Sequence, residues 1–380
     1  MRCSKHGGDP CSRPISAGFR AAFSQAVLDW FALARRPLPW RADYDPYRTW
    51  IAEVMLQQTQ MERGVSYYTR WMEIFPDIAS VAAAPEETVL RAWEGLGYYR
   101  RARHIQAAAR RIMERHNGRF PEQFADILAL PGIGPYAAAA IASTAFGQNV
   151  ACVDGNVERV LARVFDIDTP VRQAPARGLI RKLAQDLLPE GQARNFNQGM
   201  MELGALVCRK KALCRDCPLA GLCVARRLGI VDERPVPGRK AAITRAVAVA
   251  GVLRLGALVF VRRRLQDDRV WAGLWEFPGG MTEPGERPAD ALVREFREEL
   301  EFAVEVLRPL GIIRHSYTTY RLSLHCFELR LAGTCAHPPV PAPQAACGWR
   351  WASPEEVADL PLPAAHRKLA DRYYLEQKVS

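Results

Sequence analysis

The sequence predicts a multidomain chain, nearly all helical over residues 19–225 and α/β over residues 244–380. Three observations carry this. From Phe19 onward, apolar residues recur at helical spacing, as Phe23, Val27, Trp30 and Phe31 do. Residues 226–243, RRLGIVDERPVPGRKAAI, gather basic residues, prolines and glycines and read as an interdomain linker. Beyond them the pattern changes: 247–255 and 257–261 are short β-rich runs, 322–331 alternates like a strand, and one helix is expected over 288–300.

Length and composition agree. A chain of 380 residues is ordinarily two domains, and 49% apolar with 24% charged residues fits a soluble globular protein. A net charge of +11 favours a polyanionic partner: DNA, RNA or an anionic membrane surface. No apolar run approaches the roughly 20 residues that span a bilayer. The start, MRCSKHGGDPCSRP, lacks the apolar core of a secretory signal, so residues 1–18 are expected to be a flexible tail and the protein cytoplasmic. The ten cysteines include one tight cluster, which in such a chain reads as a metal site rather than a disulfide framework.

Taken in order, the first helix ends before Arg36-Pro37-Leu38-Pro39-Trp40-Arg41, where prolines remove donors and restrict their neighbours. A second helix is expected over 49–56. Its Glu53 shares a face with Trp50 and Leu56. Glu53 is either a carboxylate at the edge of an amphipathic helix or a general acid whose proton is retained by apolar neighbours. Further helices follow at 71–75 and 86–93. GLGYYRRAR (95–103) sets two tyrosines beside a basic run, a pattern for wedging into bases while holding phosphates, or simply a turn into a helix with core tyrosines. In LPGIGPY (130–136), Gly132 and Gly134 allow a tight turn whose N–H groups can meet phosphate oxygens, and Pro135 suits a first helical position. A small-residue helix is expected over 137–146. Asp154 and Asn156 precede another, where both residue types are favoured as N-caps. Cys208, Cys214, Cys217 and Cys223 are separated by five, two and five residues. That wide–narrow–wide spacing suits a compact iron–sulfur cluster, whereas a zinc site would more often pair two short gaps.

Together these motifs resemble the MutY-type adenine DNA glycosylases of the helix-hairpin-helix superfamily. The resemblance spans residues 19–380 and rests on LPWR (38–41), EVMLQQTQ (53–60), GLGYYRRAR, LPGIGPY, VDGNVERVLAR (153–163), FNQGMMELGALVC (196–208) and the cysteines, in that order. It implies an all-α helix-hairpin-helix glycosylase domain with an iron–sulfur loop over 19–225, then an α/β Nudix-like lesion-recognition domain over 244–380. It implies a monomer acting on double-stranded DNA with adenine opposite 8-oxoguanine or guanine, at the nucleoid in a bacterium, without a membrane partner. Glu53 would protonate the imidazole-side ring nitrogen of adenine, and Asp154 would stabilise the oxocarbenium-like sugar, with Tyr136 and Asn156 in support. Trp40, Arg41, Leu56 and Gln198 would line the adenine pocket. Gln58, Thr59, Leu96 and Tyr98 would wedge into the duplex and meet the oxidised guanine. The four cysteines would hold a 4Fe–4S cluster. Tyr136 stands where the related lyases carry a Schiff-base lysine, so base removal without efficient strand cleavage is expected.

Three departures accompany the resemblance. The gap between Cys208 and Cys214 is one residue shorter than the family pattern. In the lesion-contacting stretch His315-Ser316-Tyr317-Thr318-Thr319-Tyr320, Tyr317 and Thr318 match the family's Phe-Ser, but Thr319 replaces its histidine. Finally, Gly280, Glu286 and Arg294-Glu295-Phe296-Arg297-Glu298-Glu299 reproduce the Nudix hydrolase box, apart from Glu301 in place of its last glycine. Glu286, Glu295, Glu298 and Glu299 would then be either a retained scaffold of solvated carboxylates or ligands for magnesium in a residual pyrophosphohydrolase.

Overall fold

Proline, glycine and short polar residues punctuate the chain where its helices begin and end. The computed structural model describes residues 15–238, 242–265, 270–317, 319–333 and 348–379, without the side chains of Tyr317 and 375–379. The expected lesion contact at Thr318 therefore lies outside the described residues, as does the side chain of Tyr317.

Ahead of the first strand run α1 (Ala17–Ala34), α2 (Pro46–Leu56), α3 (Met61–Ile74), α4 (Ile78–Ala83), α5 (Glu86–Ala92), α6 (Arg100–Arg115), α7 (Phe124–Leu128), α8 (Pro135–Phe146), α9 (Gly155–Val164), α10 (Ala174–Leu187), α11 (Ala193–Leu206) and α12 (Val224–Arg227). Ser16 caps α1 by accepting from Phe19 N at 3.2 Å, so the helix begins inside the stretch expected to be tail. Asp45 caps α2 and Pro46 opens it. Pro135 opens α8, which ends at Gly147 in the left-handed conformation, φ 68°.

The chain forms two units, one of residues 1–82 and 107–240, the other of 83–106 and 241–380. In the first, Phe23 and Val27 of α1 pack with Val160 and Leu161 of α9 and with Phe196 and Leu203 of α11. Small residues set the approach of α11 to α9: a Cβ on Gly204 would lie 2.5 Å from Asn156 Cβ. The segment expected to be a linker is fastened to this unit as far as Arg234, which pairs with buried Asp166 at 2.8 Å.

The second unit is built on a mixed sheet of β1 (Thr244–Leu255), β2 (Leu258–Arg263), β3 (Trp275–Glu276), β4 (Val304–Tyr317), β5 (Tyr320–Leu331) and β6 (Trp349–Ala352). The strands run β3-β2-β1-β5-β4, with β6 also on β2, and β1 pairs parallel to β5. Alternation along β1 serves two cores: Ala248, Ala250 and Val252 face Leu369 and Ala370 of the helix Ala364–Val379. On the other side Val249 and Leu253 meet Leu292, Phe296 and Leu300 of α13 (Pro288–Leu300). The long strand β4 was not read from the sequence because Pro309 and Gly311 interrupt its pattern; both sit at register shifts against β5.

Residues 83–106 group with this second unit through a few long-range bonds. Glu94 is buried and accepts from Arg91 at 2.7 Å and from Arg367 at 2.6 Å. Tyr99 Oη donates to Leu362 O at 3.1 Å, and Trp275 Nε1 to Glu87 at 2.7 Å.

Glu301, the departure from the Nudix box, caps α13 in the left-handed region at φ 58°. A side chain there is strained by about 1–2 kcal/mol, partly offset by the freedom glycine loses on folding. Glu301→Gly is therefore expected to stabilise the chain by up to about 1 kcal/mol, measured by urea denaturation.

Candidate active site

Helices α2, α8, α9 and α11 converge on one cavity of about 690 Å³ in the first unit. From α2 come Glu53 and Leu56, from α8 Tyr136, and from the start of α9 Asp154 and Asn156. Glu53 lies one turn beyond Thr49 on the face of α2 that also carries Leu56. Tyr136 Oη donates to Glu53 Oε2 at 3.0 Å. Burial pushes the Glu53 carboxyl up to about 7; the Tyr136 bond and Arg41 oppose the rise, while Asp154 adds to it. The phenol of Tyr136 is itself held well above its ordinary range, by burial first and then by Glu53, so it is a neutral donor.

Asp154 is the N-cap of α9, as its position suggests, and it also faces the cavity. Its Oδ1 accepts from Asn156 N at 2.9 Å and Val157 N at 2.8 Å, and its Oδ2 from Asn156 Nδ2 at 2.7 Å. Burial raises its pKa, and those three donors oppose the rise. The chain of bonds continues: Arg159 donates to Asn156 Oδ1 at 2.8 Å and to Cys208 O at 2.7 Å.

Trp40, Arg41, Leu56 and Gln198 line the same cavity, as do Gln58 and Thr59. Gln58 holds a left-handed φ of 60° where α2 ends. Sequence reasoning missed Glu202, which is 2% exposed and receives Arg36 and Arg41, each at 2.8 Å. Its signal was present: Glu202 follows Gln198 by one helical turn within the same motif. Thr49 was missed as well.

Other expected positions are not among the residues lining this cavity. Gly132, φ 76°, and Gly134, the N-cap of α8, are exposed at the turn before that helix. Leu96 and Tyr98 fall in the second unit; Leu96 is buried, and Tyr98, at φ 49°, has the Arg101 guanidinium 5.6 Å from its ring centroid.

Cys208, Cys214, Cys217 and Cys223 line a second cavity together with Arg163 and Leu219. Buried Arg163 organises the loop, donating to Cys208 Sγ at 3.3 Å, Arg209 O at 2.7 Å and Arg234 O at 2.9 Å. Among the described residues, no group of three or more His, Cys, Asp or Glu side chains is placed to hold a metal ion. The donor set nonetheless fits an iron–sulfur cluster: four sulfurs on one cavity, with a guanidinium to stabilise thiolate charge.

The Nudix-box carboxylates are paired with arginines. Glu286, Glu295 and Glu298 each pair with Arg294, at 2.9, 3.0 and 3.0 Å, and Glu299 pairs with Arg262. The box glycine is needed because a Cβ on Gly280 would meet Glu295 Oε2 at 2.2 Å.

Comparison with known proteins gives two family matches, the first of which includes residues 83–106. Residues 51–190 match the HhH-GPD superfamily of base excision DNA repair proteins, and residues 248–372 match the NUDIX domain. The human adenine DNA glycosylase is 32% identical across 94% of this chain and 74% of its own length. That of Buchnera aphidicola subsp. Baizongia pistaciae is 34% identical over 67% of this chain and 73% of its own. A thermostable thymine-DNA glycosylase of known structure covers 56% of the chain and 98% of its own length, at 29% identity and a TM-score of 0.52.

The raised pKa of Glu53 makes stability depend on pH. Between the ordinary carboxyl value of 4.5 and about 7, the folded chain keeps a proton that the unfolded chain has shed. The stability this contributes is complete below the lower value and lost as pH rises through the upper one. Relative to wild type, Glu53→Gln should therefore gain melting temperature between about pH 5 and about pH 8, followed by calorimetry.

Proposed function

Because the chain belongs to the adenine DNA glycosylase family, we propose that it removes adenine opposite 8-oxoguanine or guanine in double-stranded DNA by hydrolysing the N-glycosidic bond. The observation that carries this reading is one cavity holding a carboxyl shifted to about 7 and a second carboxylate tied to a helix start. Two carboxyl groups in unlike environments are what acid-assisted glycosidic cleavage requires.

The adenosine leaves the stack, at a cost of a few kcal/mol that a mispair reduces. Trp40, Arg41, Leu56 and Gln198 receive the base, with Glu202 holding Arg41. Glu53, protonated and held by Tyr136, delivers its proton to the imidazole-side ring nitrogen, so adenine departs neutral. Asp154, with Asn156 beside it, stabilises positive charge on the sugar. Glu53, now a carboxylate, accepts a proton from the attacking water. Tyr136 has no amine to form a Schiff base, so the product is an abasic site rather than a cut strand.

The exposed Gly132–Gly134 turn at the start of α8 supplies backbone donors for phosphates. Gln58, Thr59, Leu96 and Tyr98 are assigned to the duplex and the base opposite adenine, and Tyr317 and Thr318 to the lesion. Cys208, Cys214, Cys217 and Cys223 would hold a 4Fe–4S cluster, which when bound fixes the loop that carries Arg209, Lys210 and Lys211. Magnesium-dependent hydrolysis by the second unit is the weaker reading, since a cation must displace Arg294 from three carboxylates and Arg262 from the fourth.

The decisive assay uses duplexes with adenine opposite 8-oxoguanine, guanine or thymine, scored with and without alkali. Excision is expected opposite the first two, with strand breaks only after alkali. Glu53→Gln should keep duplex affinity while excision falls by roughly 10²–10⁴ or more. Near-normal excision by that variant would remove the assignment of Glu53. Iron and acid-labile sulfide should copurify with the wild-type chain and be depleted in Cys214→Ser; metal analysis that finds zinc instead rejects the cluster.

A further inference from the structure

Arg163 stands in the last turn of α9 and is 3% exposed, yet among the described residues no carboxylate pairs with it. Its side chain bonds carbonyls and sulfur instead. Nε donates to Val231 O at 3.1 Å and to Arg234 O at 2.9 Å. One terminal nitrogen reaches Cys208 O and Cys208 Sγ, each at 3.3 Å, and Arg209 O at 2.7 Å. The other donates to Lys210 O at 3.2 Å. On the backbone, Arg163 O lies 3.4 Å from Cys223 Sγ. Arg163 therefore touches the first and the last of the four cysteines as well as the segment 231–234. Carbonyls satisfy its donors without supplying a full counter-charge, and a buried charge left unpaired is costly. The four cysteines line the same cavity as Arg163, and cysteine binds metals as the thiolate.

We propose that Arg163 is a positioning residue that acts as a latch: its charge offsets that of the filled cysteine site, and its fork makes the attachment of residues 231–234 depend on that filling. The inference rests on the cluster reading above. A guanidinium is planar and rigid, so its terminal nitrogens cannot follow the Cys208 loop without carrying Nε along. Val231 also lines the cavity of the cysteines, and Arg234 is fastened a second time through Asp166 at 2.8 Å. Beyond Arg234 the chain runs on to residue 241, where the second unit resumes. A change at the cysteine site is thereby transmitted to the stretch of chain that joins the two units.

The full chain, purified with its cluster, carries the test. Arg163→Met removes the charge and the fork, whereas Arg163→Lys keeps the charge alone. A cation beside the cluster favours its reduced form. Arg163→Met is therefore expected to lower the reduction equilibrium constant about tenfold, or about 59 mV for one electron, read by voltammetry. Arg163→Lys should stay within about threefold of wild type. Amide exchange over residues 231–234 should quicken about tenfold in both variants and in wild type stripped of metal by a chelator, while exchange in α2 stays unchanged. If Arg163→Met fails to retain iron that Arg163→Lys retains, the dependence on charge is met in a stronger form. Equal loss of iron in both variants overturns the proposal, as does an unchanged potential in Arg163→Met. Unchanged exchange at 231–234 after stripping overturns it too, and so does a matching rise in α2, which marks general destabilisation. The metal content of wild type tests the cluster reading separately: a chain holding zinc rejects the cluster and leaves the exchange comparison to decide the latch.

Discussion

Asp154 Oδ1 accepts two backbone N–H groups at the start of α9, at 2.9 and 2.8 Å, and the geometry of the cavity follows from that cap. A cap and a catalyst are often weighed as alternatives for an aspartate before a helix, but here they are compatible. An ionised carboxylate has about four lone-pair sites. Two N–H groups and the Asn156 amide occupy three, and the cavity-facing side of the group stays available for charge in the substrate. Capping also fixes the rotamer, so the carboxylate is held in place before any substrate arrives. The close approach of α11 at Gly204 presses Asn156 against its partner, and Arg159 carries the same bond network to Cys208 O.

The division of labour between the carboxyl groups follows from their partners. Glu53 has the single phenolic donor Tyr136 against its burial, and its pKa rises to about 7. Asp154 has two amide N–H groups, a side-chain amide and the nearby Arg159 charge, all favouring the ionised form against burial. Burial is the largest influence on both groups, and the extra donors on Asp154 oppose it where Glu53 has Tyr136 and the Arg41 charge. Tyr136 stabilises whichever state of Glu53 accepts its hydrogen bond, so it serves both before and after proton transfer.

Much of this was legible in the sequence, because the informative residues cluster in short motifs. Glu53, Asp154 and Tyr136 are far apart along the chain, yet each lies at a helix position whose face or cap role is local. The helical first unit and the α13 helix likewise follow from spacing alone. What could not be read was long-range pairing. Glu202 is set apart from other helical glutamates only by its pairing with Arg36 and Arg41, which come from another part of the chain. The Nudix carboxylates look like cation ligands by spacing, but Arg294 is on the same helix and within reach of three of them. Residues 83–106 lie within the glycosylase family match yet group with the second unit through Glu94 and Tyr99, whose partners Arg367 and Leu362 lie more than 260 positions away.

Stability and recognition pull in opposite directions inside the cavity. Thr49 Oγ1 and Arg41 Nε are buried there without hydrogen-bond partners, and Glu53 is desolvated enough to hold its proton. Each of these is a destabilising choice when the fold is considered by itself, since an apolar residue of the same shape would be cheaper. Glu53 shows what such a choice can return, since the burial that raises its pKa also keeps a proton at the cavity near neutral pH. The matched network of Asp154, Asn156 and Arg159 holds the opposite wall in place, so the costly group and the well-bonded one share a single cavity.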